Sequence, residues 1–210
     1  MAGAKMAMPA ATARDPGRTR ERILAAALKE FAGKGFAGAR VDAIAHRAAI
    51  NKRMLYHYFG DKEGLFREVL HRKMAEREAW GEATPDDPSQ SLPFWLDLMC
   101  KDTDWIRLLE WEALQGGEKG IIDVERRCEA ATRAVARIRA RQARGQVSAE
   151  FDPRHVLLAM LALTMYPVAF PQLARLILGR SVRDSRLQKE YREFLRQMAV
   201  AFRPKARQSR

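Results

Sequence analysis

The sequence predicts an all-α protein, with a small three-helix domain near the N-terminus and a larger helical domain behind it. Apolar residues recur at helical spacing along most of the 210 residues, and 47% of the residues are hydrophobic, enough for a core. No alternation typical of a strand persists over a useful length. Glycine and proline clusters separate the helical stretches, and the clearest break is the turn-rich segment 84–89.

The first helix is predicted from about Pro16 to Gly33. Asp15 can cap its N-terminus, and Pro16 fits the first helical position because its missing N–H is not needed there. Gly33 and Gly35 are expected to end the helix. Its apolar stripe consists of Ile23, Leu24, Ala27, Leu28 and Phe31.

Two short helices joined by a tight turn are predicted next. The apolar face of the first consists of Val41, Ile44, Ala45 and Ala48. Asn51 can cap the second, because its side-chain oxygen accepts from free backbone N–H groups. That second helix buries Leu55 and Phe59 and carries basic and aromatic residues on its other faces. An apolar back and a basic front fit the major groove of DNA, as in a helix-turn-helix.

One run of residues resembles a known family. Leu55-Tyr56-His57-Tyr58-Phe59, followed by Asp61-Lys62-Glu63-Gly64-Leu65-Phe66, is similar to the DNA-binding domain of TetR/AcrR-type transcriptional regulators. The resemblance covers about residues 17–70, and beyond them only the helical pattern and the length match. It implies a helix-turn-helix DNA-binding domain followed by a C-terminal helical domain for ligand binding and dimerisation. The alternative is three amphipathic helices of an unrelated bundle.

The chain departs from the family pattern in two places. The turn has Ala49 where the family usually has glycine, and Ala39 and Arg40 stand where the first helix of the pair usually starts with serine or threonine. Alanine is a poor cap, so this helix end is expected to be looser or capped by another group. Arg40 can instead reach a phosphate.

The positions on the second short helix predict contacts with DNA. Tyr56 and Lys62 match family positions that usually contact phosphates, and such contacts hold a protein on DNA without reading sequence. Lys52 and Arg53 can donate to guanine edges, and Met54 can touch a thymine methyl group. The predicted DNA-binding residues are Arg40, Lys52, Arg53, Met54, Tyr56, His57 and Lys62.

The charge distribution agrees with this prediction. The formal net charge is +12, of which residues 1–62 carry +7 and residues 63–210 carry +5. A basic surplus of this size favours nucleic acid, an anionic membrane or simply solubility. More than half of the surplus lies in the part of the chain that contains the candidate reading helix.

Further helices are predicted at 61–80, capped by Asp61, and at 90–100, 103–116, 121–144, 153–178 and 184–202. The segment Val156 to Leu178 is apolar and long enough to span a membrane. Pro167 and Pro171 interrupt it, so we interpret it as a buried helix that is kinked or broken there, and we expect no membrane partner.

The last helix predicts a homodimer. One of its sides carries the apolar residues Leu187, Tyr191, Phe194, Leu195 and Met198. Together with the helix before it, this side offers more apolar surface than one packing partner covers, so both can form a four-helix bundle between two copies. The resemblance implies the same arrangement. The alternative is that the two helices only close the core of the monomer.

The second domain is expected to bind a small effector, because the family usually has an apolar ligand cavity there. The candidate ligand-binding residues are Trp95, Met99, Asp104, Trp105, Met160 and Tyr166. Ordinary core packing is the alternative for each of them. The helices at 90–100 and 153–178 carry only Asp97 as an internal acid and Arg175 as an internal arginine, so an uncharged or weakly charged, largely apolar effector is expected.

The sequence offers little for catalysis. The four histidines form no metal-ligand pattern, and neither a nucleophile elbow nor a phosphate-binding glycine loop occurs. Cys100 and Cys128 lack metal-ligand spacing and are expected to be small buried residues, with a redox-sensing pair as the alternative. No catalytic residue, metal or cofactor is therefore predicted.

These observations predict a cytoplasmic homodimer that regulates transcription, a ligand-released repressor on a palindromic DNA operator. Residues 1–14 are expected to form a disordered arm, 15–62 the DNA-binding domain, 63–202 the effector-binding and dimerisation domain, and 203–210 a disordered tail. The alternatives are a non-specific architectural DNA-binding protein, an activator of the same fold, or a small helical enzyme with a DNA-binding domain.

Overall fold

The computed structural model describes residues 16–116 and 121–204, and within them every regular element is an α-helix. This confirms the predicted fold class. The predicted disordered segment 1–14, the cap Asp15 and residues 205–210 of the predicted tail lie outside the described residues. The helices are α1 (Pro16–Gly38), α2 (Val41–Arg47), α3 (Lys52–Phe59), α4 (Lys62–Glu82), α5 (Pro88–Lys101), α6 (Thr103–Gly116), α7 (Val124–Ala143), α8 (Pro153–Ala169), α9 (Pro171–Leu178) and α10 (Ser185–Ala201).

Of the two glycines expected to end the first helix, Gly33 lies within α1, and Gly35 interrupts it with non-helical φ and ψ of 68° and 175°. The helix resumes after this bend, where Phe36 packs on Phe66 of α4 with ring centroids 5.2 Å apart. Glycine is required at the bend for two reasons. The positive φ disfavours a side chain, and a Cβ atom there would lie 2.8 Å from the ring of Trp111.

Helices α2 and α3 form the predicted helix-turn-helix. The Asn51 side chain caps α3 by accepting from the Arg53 N–H at 2.8 Å, as the sequence predicted. At the start of α2, Arg40 makes no capping bond with its side chain. Its backbone N–H instead donates to the carboxylate of Glu30 on α1, at 3.3 Å, so another helix supplies the missing cap.

The turn between these helices places Ala49 in the left-handed region, with φ of 49°. This backbone conformation explains why glycine suits the position. Arg22 of α1 holds the turn from outside, because its guanidinium donates to the carbonyl oxygens of Ala48 and Ala49. The angle between α2 and α3 therefore depends on α1 as well as on the turn.

Replacing Ala49 with glycine is expected to stabilise the protein by about 0.5–1 kcal/mol. The left-handed conformation costs a non-glycine residue about 1–2 kcal/mol, and the freer unfolded chain of the variant offsets part of that gain. Ala48→Gly is the matched control, since Ala48 is buried with a φ of −77° and should only lose stability. Urea unfolding at one fixed protein concentration measures both changes, and an unchanged or lower stability for Ala49→Gly would contradict the argument.

The C-terminal helices pack around α5, α8 and α10. One apolar cluster joins Leu92 and Leu96 of α5 to Leu195 and Ala199 of α10. Tyr191 of α10 ties this cluster to α8, because its hydroxyl donates to the carbonyl oxygen of Leu163 at 2.9 Å. A second cluster joins α7 to α8 through Ile138 and Val156.

The apolar segment 153–178 is broken as predicted. It forms α8 and α9, which meet at Phe170 and are bent by 92°. In the described part of the chain no single helix is long and apolar enough to cross a membrane, while this bent pair meets the length and composition criteria together.

The N-terminal helices and α6 share one core. The largest apolar cluster contains Phe31 of α1, Leu55 of α3 and Leu65 of α4, together with Trp105 and Leu108 of α6. Helix α6 packs along α1, so its side chains belong to the same core as the DNA-binding helices.

Candidate nucleic-acid interface

Helix α3 presents one polar face to solvent. Lys52, Arg53, Tyr56 and His57 are exposed on it, and Leu55 on the opposite side is completely buried against α1 and α4. Met54 lies half-buried at the flank. The structure therefore brings five of the seven predicted DNA-binding residues together on one short helix, whose opposite side is packed against the core.

The exposed face carries one internal ion pair. Lys52 Nζ lies 2.8 Å from Asp42 Oδ1 at the start of α2. The hydrogen bond from Lys52 lowers the pKa of Asp42, and the carboxylate raises the pKa of Lys52. Arg53 and Arg40 are exposed, and their side chains have no ion-pair partner among the described residues. Arg53 is therefore free to contact a base edge.

Replacing Asp42 with asparagine is expected to strengthen binding to specific and random duplexes alike. The change removes a negative charge beside the DNA and releases Lys52 for a phosphate. The slope of log affinity against log salt should steepen by about one for each recognition helix. Fluorescence anisotropy over a range of salt concentrations measures this.

Asp86→Asn is the matched control for that experiment. Asp86 is as exposed as Asp42, at 69% against 68%, and its ion pair with Arg144 is 2.7 Å long, but it lies before α5. Equal slopes for the two variants would contradict a role for Asp42 at the interface.

Lys62, the predicted phosphate contact, has partners within the chain. Its ammonium group lies 4.8 Å from the centroid of the Phe36 ring and 3.3 Å from the carbonyl oxygen of Ala37. It thus binds the last turn of α1, where it also offsets the negative end of the helix dipole.

The buried acid Glu30 was not predicted from the sequence. Its carboxylate is almost fully buried, lies 2.7 Å from Lys34 Nζ and 3.7 Å from Arg47 Nη2, and also caps α2 through Arg40. The hydrogen bond from Lys34 holds the pKa of Glu30 below its ordinary value. This contribution to stability is present above about pH 4.5 and is lost as the pH falls through the lowered pKa. The burial of Glu30 could have been predicted from its position, because it lies three residues after Ala27 and therefore on the apolar face of α1.

Comparison with known proteins identifies the family. Residues 23–69 match the family described as bacterial regulatory proteins, tetR family, and residues 95–200 match a tetracyclin repressor-like C-terminal domain. The chain is 36% identical over 167 residues to the HTH-type transcriptional repressor SCO4008 of Streptomyces coelicolor, covering 80% of this chain and 87% of that protein. The chain belongs to the TetR family.

Two further similarities agree with this assignment. The HTH-type transcriptional repressor NicS of Pseudomonas putida is 38% identical over 107 residues, which are 48% of this chain and 50% of that protein. The crystal structure of SCO4942 from Streptomyces coelicolor superposes with a TM-score of 0.70 and 30% identity, over 90% of this chain and 99% of that one. This TetR-family protein is a DNA-binding transcription regulator and not an enzyme.

Two cavities among the described residues of this TetR-family protein, of about 150 and 10 Å³, are lined by residues other than the six predicted to bind the ligand. The ligand-binding role of the six stays a prediction. Met99 and Trp105 are buried on either side of Arg77. Asp104 pairs with Lys29 at 2.6 Å, which directs it towards α1.

The other three candidates lie apart from this pair. Trp95 is half-buried beside Phe94, and Met160 packs between the two C-terminal clusters. Tyr166 is exposed next to Phe170, with ring centroids 5.1 Å apart. Their roles stay predictions.

A buried ionic cluster that the sequence did not predict lies between α4 and the start of α6. Arg77 lies 2.9 Å from Asp102 Oδ2 and 5.0 Å from the Trp105 ring centroid, and Lys73 lies 2.7 Å from the same carboxylate. Burial lowers the pKa of Arg77 to about 10. The burial of Lys73 and Arg77 could have been predicted from their spacing, because they continue the buried stripe of Phe66 and Leu70 along α4.

The predicted dimer residues divide into two groups. Leu187 and Leu195 are buried within the protomer, the latter completely against α5, so neither is available to a second copy. Tyr191 and Met198 are half-buried, and Phe194 is exposed.

The most exposed apolar residues of the C-terminal helices α8 to α10 lie on α8 and α9. Leu176 and Ile177 expose 80% and 75% of their surface, and Leu158 exposes 67%. We define the α8–α9 apolar face as Leu158, Leu161, Tyr166, Phe170, Leu176 and Ile177. In soluble proteins, large contiguous apolar patches often mark interaction surfaces.

Neither cysteine is disulfide-bonded. Cys100 is half-buried in the α5–α10 cluster, whereas Cys128 is exposed, contrary to the expectation that both are buried. Among the described residues, no group of three or more His, Cys, Asp or Glu side chains is placed to hold a metal ion.

Proposed function

We propose that this protein is a repressor that binds an inverted-repeat operator as a homodimer and is released by a small effector. The exposed basic face of α3, with Arg53 unpaired at its centre, is the observation that carries the proposal. The names of the relatives SCO4008 and NicS, both transcriptional repressors, support repression rather than activation. A DNA operator as partner also supports a cytoplasmic location.

The domain division follows from the same surfaces. Residues 15–62 contact DNA, and residues 63–202 dimerise and bind the effector. The α8–α9 apolar face, with Phe194 of α10, supports the dimer because it is too apolar to remain solvated. Two copies joined here form a four-helix bundle and hold two recognition helices at a fixed distance.

Release of DNA depends on that distance. Two recognition helices bind successive half-sites only when they lie roughly 34–36 Å apart. Trp105 and Leu108 of α6 belong to the core of the DNA-binding helices, so an effector that displaces α6 also displaces α1 and α4. An effector with higher affinity for the displaced state therefore lowers affinity for the operator.

The effector is proposed to be largely apolar and uncharged. Asp104 is neutralised by Lys29, and Asp97 by Arg192 at 2.7 Å. Because both carboxylates are already ion-paired, neither is available to neutralise the charge of a buried cationic ligand. An effector that carries a charge would have to bring its own counter-ion into the domain.

Selection of bound sequences from a random duplex library tests the function, because the selection itself reveals the operator. We expect enrichment of an inverted repeat whose half-site centres lie about ten base pairs, or one helical turn, apart. Equal affinity for selected and random duplexes, with a steep dependence on salt, would instead establish the architectural alternative.

A further inference from the structure

A cavity of about 150 Å³ lies between the DNA-binding helices and α6. Phe31 and Phe36 of α1 and Phe66 of α4 form one wall, and Leu108 and Trp111 of α6 form the other. The cavity is separate from the six residues predicted to bind the effector. Gln115 and Gly116, which are exposed at the end of α6, also line it.

The walls are fixed by contacts on both sides. The rings of Phe31 and Phe66 meet edge to face at 4.8 Å, and Phe36 packs on both. Trp111 is held by its indole N–H, which donates to the carbonyl oxygen of Ala32 at 3.3 Å, and by its contact with the bend at Gly35. These contacts hold both walls of the cavity in place.

The size and lining define the chemistry of an occupant. A preformed apolar cavity of about 150 Å³ accommodates one benzene ring, and two fused rings are too large. Aromatic walls favour a planar ring through edge-to-face contacts. A single six-membered aromatic ring is therefore the group that matches both volume and surface.

One buried polar group in the wall sets a further requirement. Glu112 exposes only 9% of its side chain. Its Oε1 accepts from the backbone N–H of Ile122 at 3.0 Å, and its Oε2 accepts from Arg127 at 2.6 Å. Each carboxylate oxygen can accept a second hydrogen bond, so Glu112 can bind a donor, whereas a carboxylate ligand has no donor to offer it.

We propose that this cavity binds an uncharged single-ring aromatic molecule that donates a hydrogen bond to Glu112. The ligand contacts α1, α4 and α6 at once. It therefore stabilises the present contact between the DNA-binding helices and the domain behind them. This site is additional to the effector region proposed above and does not require it.

Calorimetric titration with four small molecules tests the proposal. Phenol is the probe, and toluene has the same number of heavy atoms but no donor. Benzoate adds a negative charge, and 2-naphthol adds a second ring. We expect saturable one-to-one binding of phenol, weaker binding of toluene, and no saturable binding of benzoate or 2-naphthol.

Ile122→Phe is the filling variant, because Ile122 lines the cavity and its backbone bond to Glu112 survives the change. It should weaken phenol binding roughly tenfold or more. Leu114→Phe is the matched control, since Leu114 lies on α6, is 78% exposed and lies outside the cavity wall. Absence of saturable phenol binding, or equal affinities for the two variants, would overturn the proposal.

Glu112→Gln keeps the shape of the side chain and removes its charge. This variant tests the proposed site independently if Ile122→Phe does not fold. The preference for phenol over toluene should fall, and the exclusion of benzoate should relax. An unchanged preference would overturn the role of Glu112. DNA binding by the same variants is measured as a control. Because α3 does not line the cavity, a failure of phenol binding can be distinguished from a failure of DNA binding.

Discussion

Replacing Arg53 with alanine is expected to weaken binding to the selected operator by about 1–3 kcal/mol in each half-site, which is the usual value of a good bidentate contact with a base. Binding to random duplexes should change far less. Arg53 is exposed on the free face of α3 and makes no ion pair among the described residues, so its guanidinium is available to a guanine edge. Fluorescence anisotropy at one fixed salt concentration measures both affinities.

Arg139→Ala provides the control for that measurement. Arg139 is likewise exposed, but on α7, and its loss removes the same charge without touching the helix-turn-helix. We expect it to lower both affinities slightly and equally. Equal losses on operator and random duplex for Arg53→Ala would show that this residue holds the DNA backbone and does not read a base.

Replacing Leu176 and Ile177 together with glutamate is expected to yield a folded monomer. Both side chains are at least 75% exposed in the protomer, so the change has little effect on folding of the single chain. In a dimer built on the α8–α9 apolar face, two unpaired carboxylates from each copy would be buried, at a cost of several kcal/mol. Operator affinity should then fall to that of a single half-site.

Sedimentation equilibrium at micromolar concentration measures the mass of the wild type and the variant. Leu114→Glu is the control, because Leu114 is as exposed as Leu176 but lies on α6. A wild-type species at the chain mass of 23.9 kDa would refute the dimer. Leu195→Glu cannot serve this purpose, because Leu195 is completely buried against α5 and its substitution would unfold the bundle.

The sequence was sufficient where local chemistry decides the structure. Asn51 and Asp61 cap α3 and α4 as predicted, because a side-chain oxygen reaches the free N–H groups two or three residues ahead. Pro171 breaks the apolar segment into α8 and α9 since proline lacks the N–H that a continuous helix needs. The exposed face of α3 followed from the period of the helix alone.

The sequence was insufficient where a distant residue completes the interaction. Gly33 and Gly35 were expected to end the first helix; Gly35 does interrupt it, but α1 resumes to Gly38, and there Phe36 packs on Phe31 and Phe66. The missing cap of α2 is supplied by Glu30, ten residues upstream of Arg40. No local pattern contains these partners.

The same limit applies to the second domain. An apolar residue on a helix faces either its own core, a ligand or another copy of the chain, and helical spacing is equal in all three cases. Leu195 was grouped with the dimer residues although its neighbours are Leu92 and Leu96 of α5, which lie about a hundred positions earlier in the chain.

By itself, the sequence determined the positions of most helices, the caps of α3 and α4 and the basic face of α3, because these depend on neighbours within one or two turns. Only the tertiary structure decided which apolar faces remain free on α8 and α9, and that a cavity opens between α1 and α6. The exposed apolar faces and the cavity are both parts of the helix surface that packing against other helices leaves uncovered. Which parts remain uncovered depends on how helices distant in sequence pack against each other, and it cannot be calculated from any one of them.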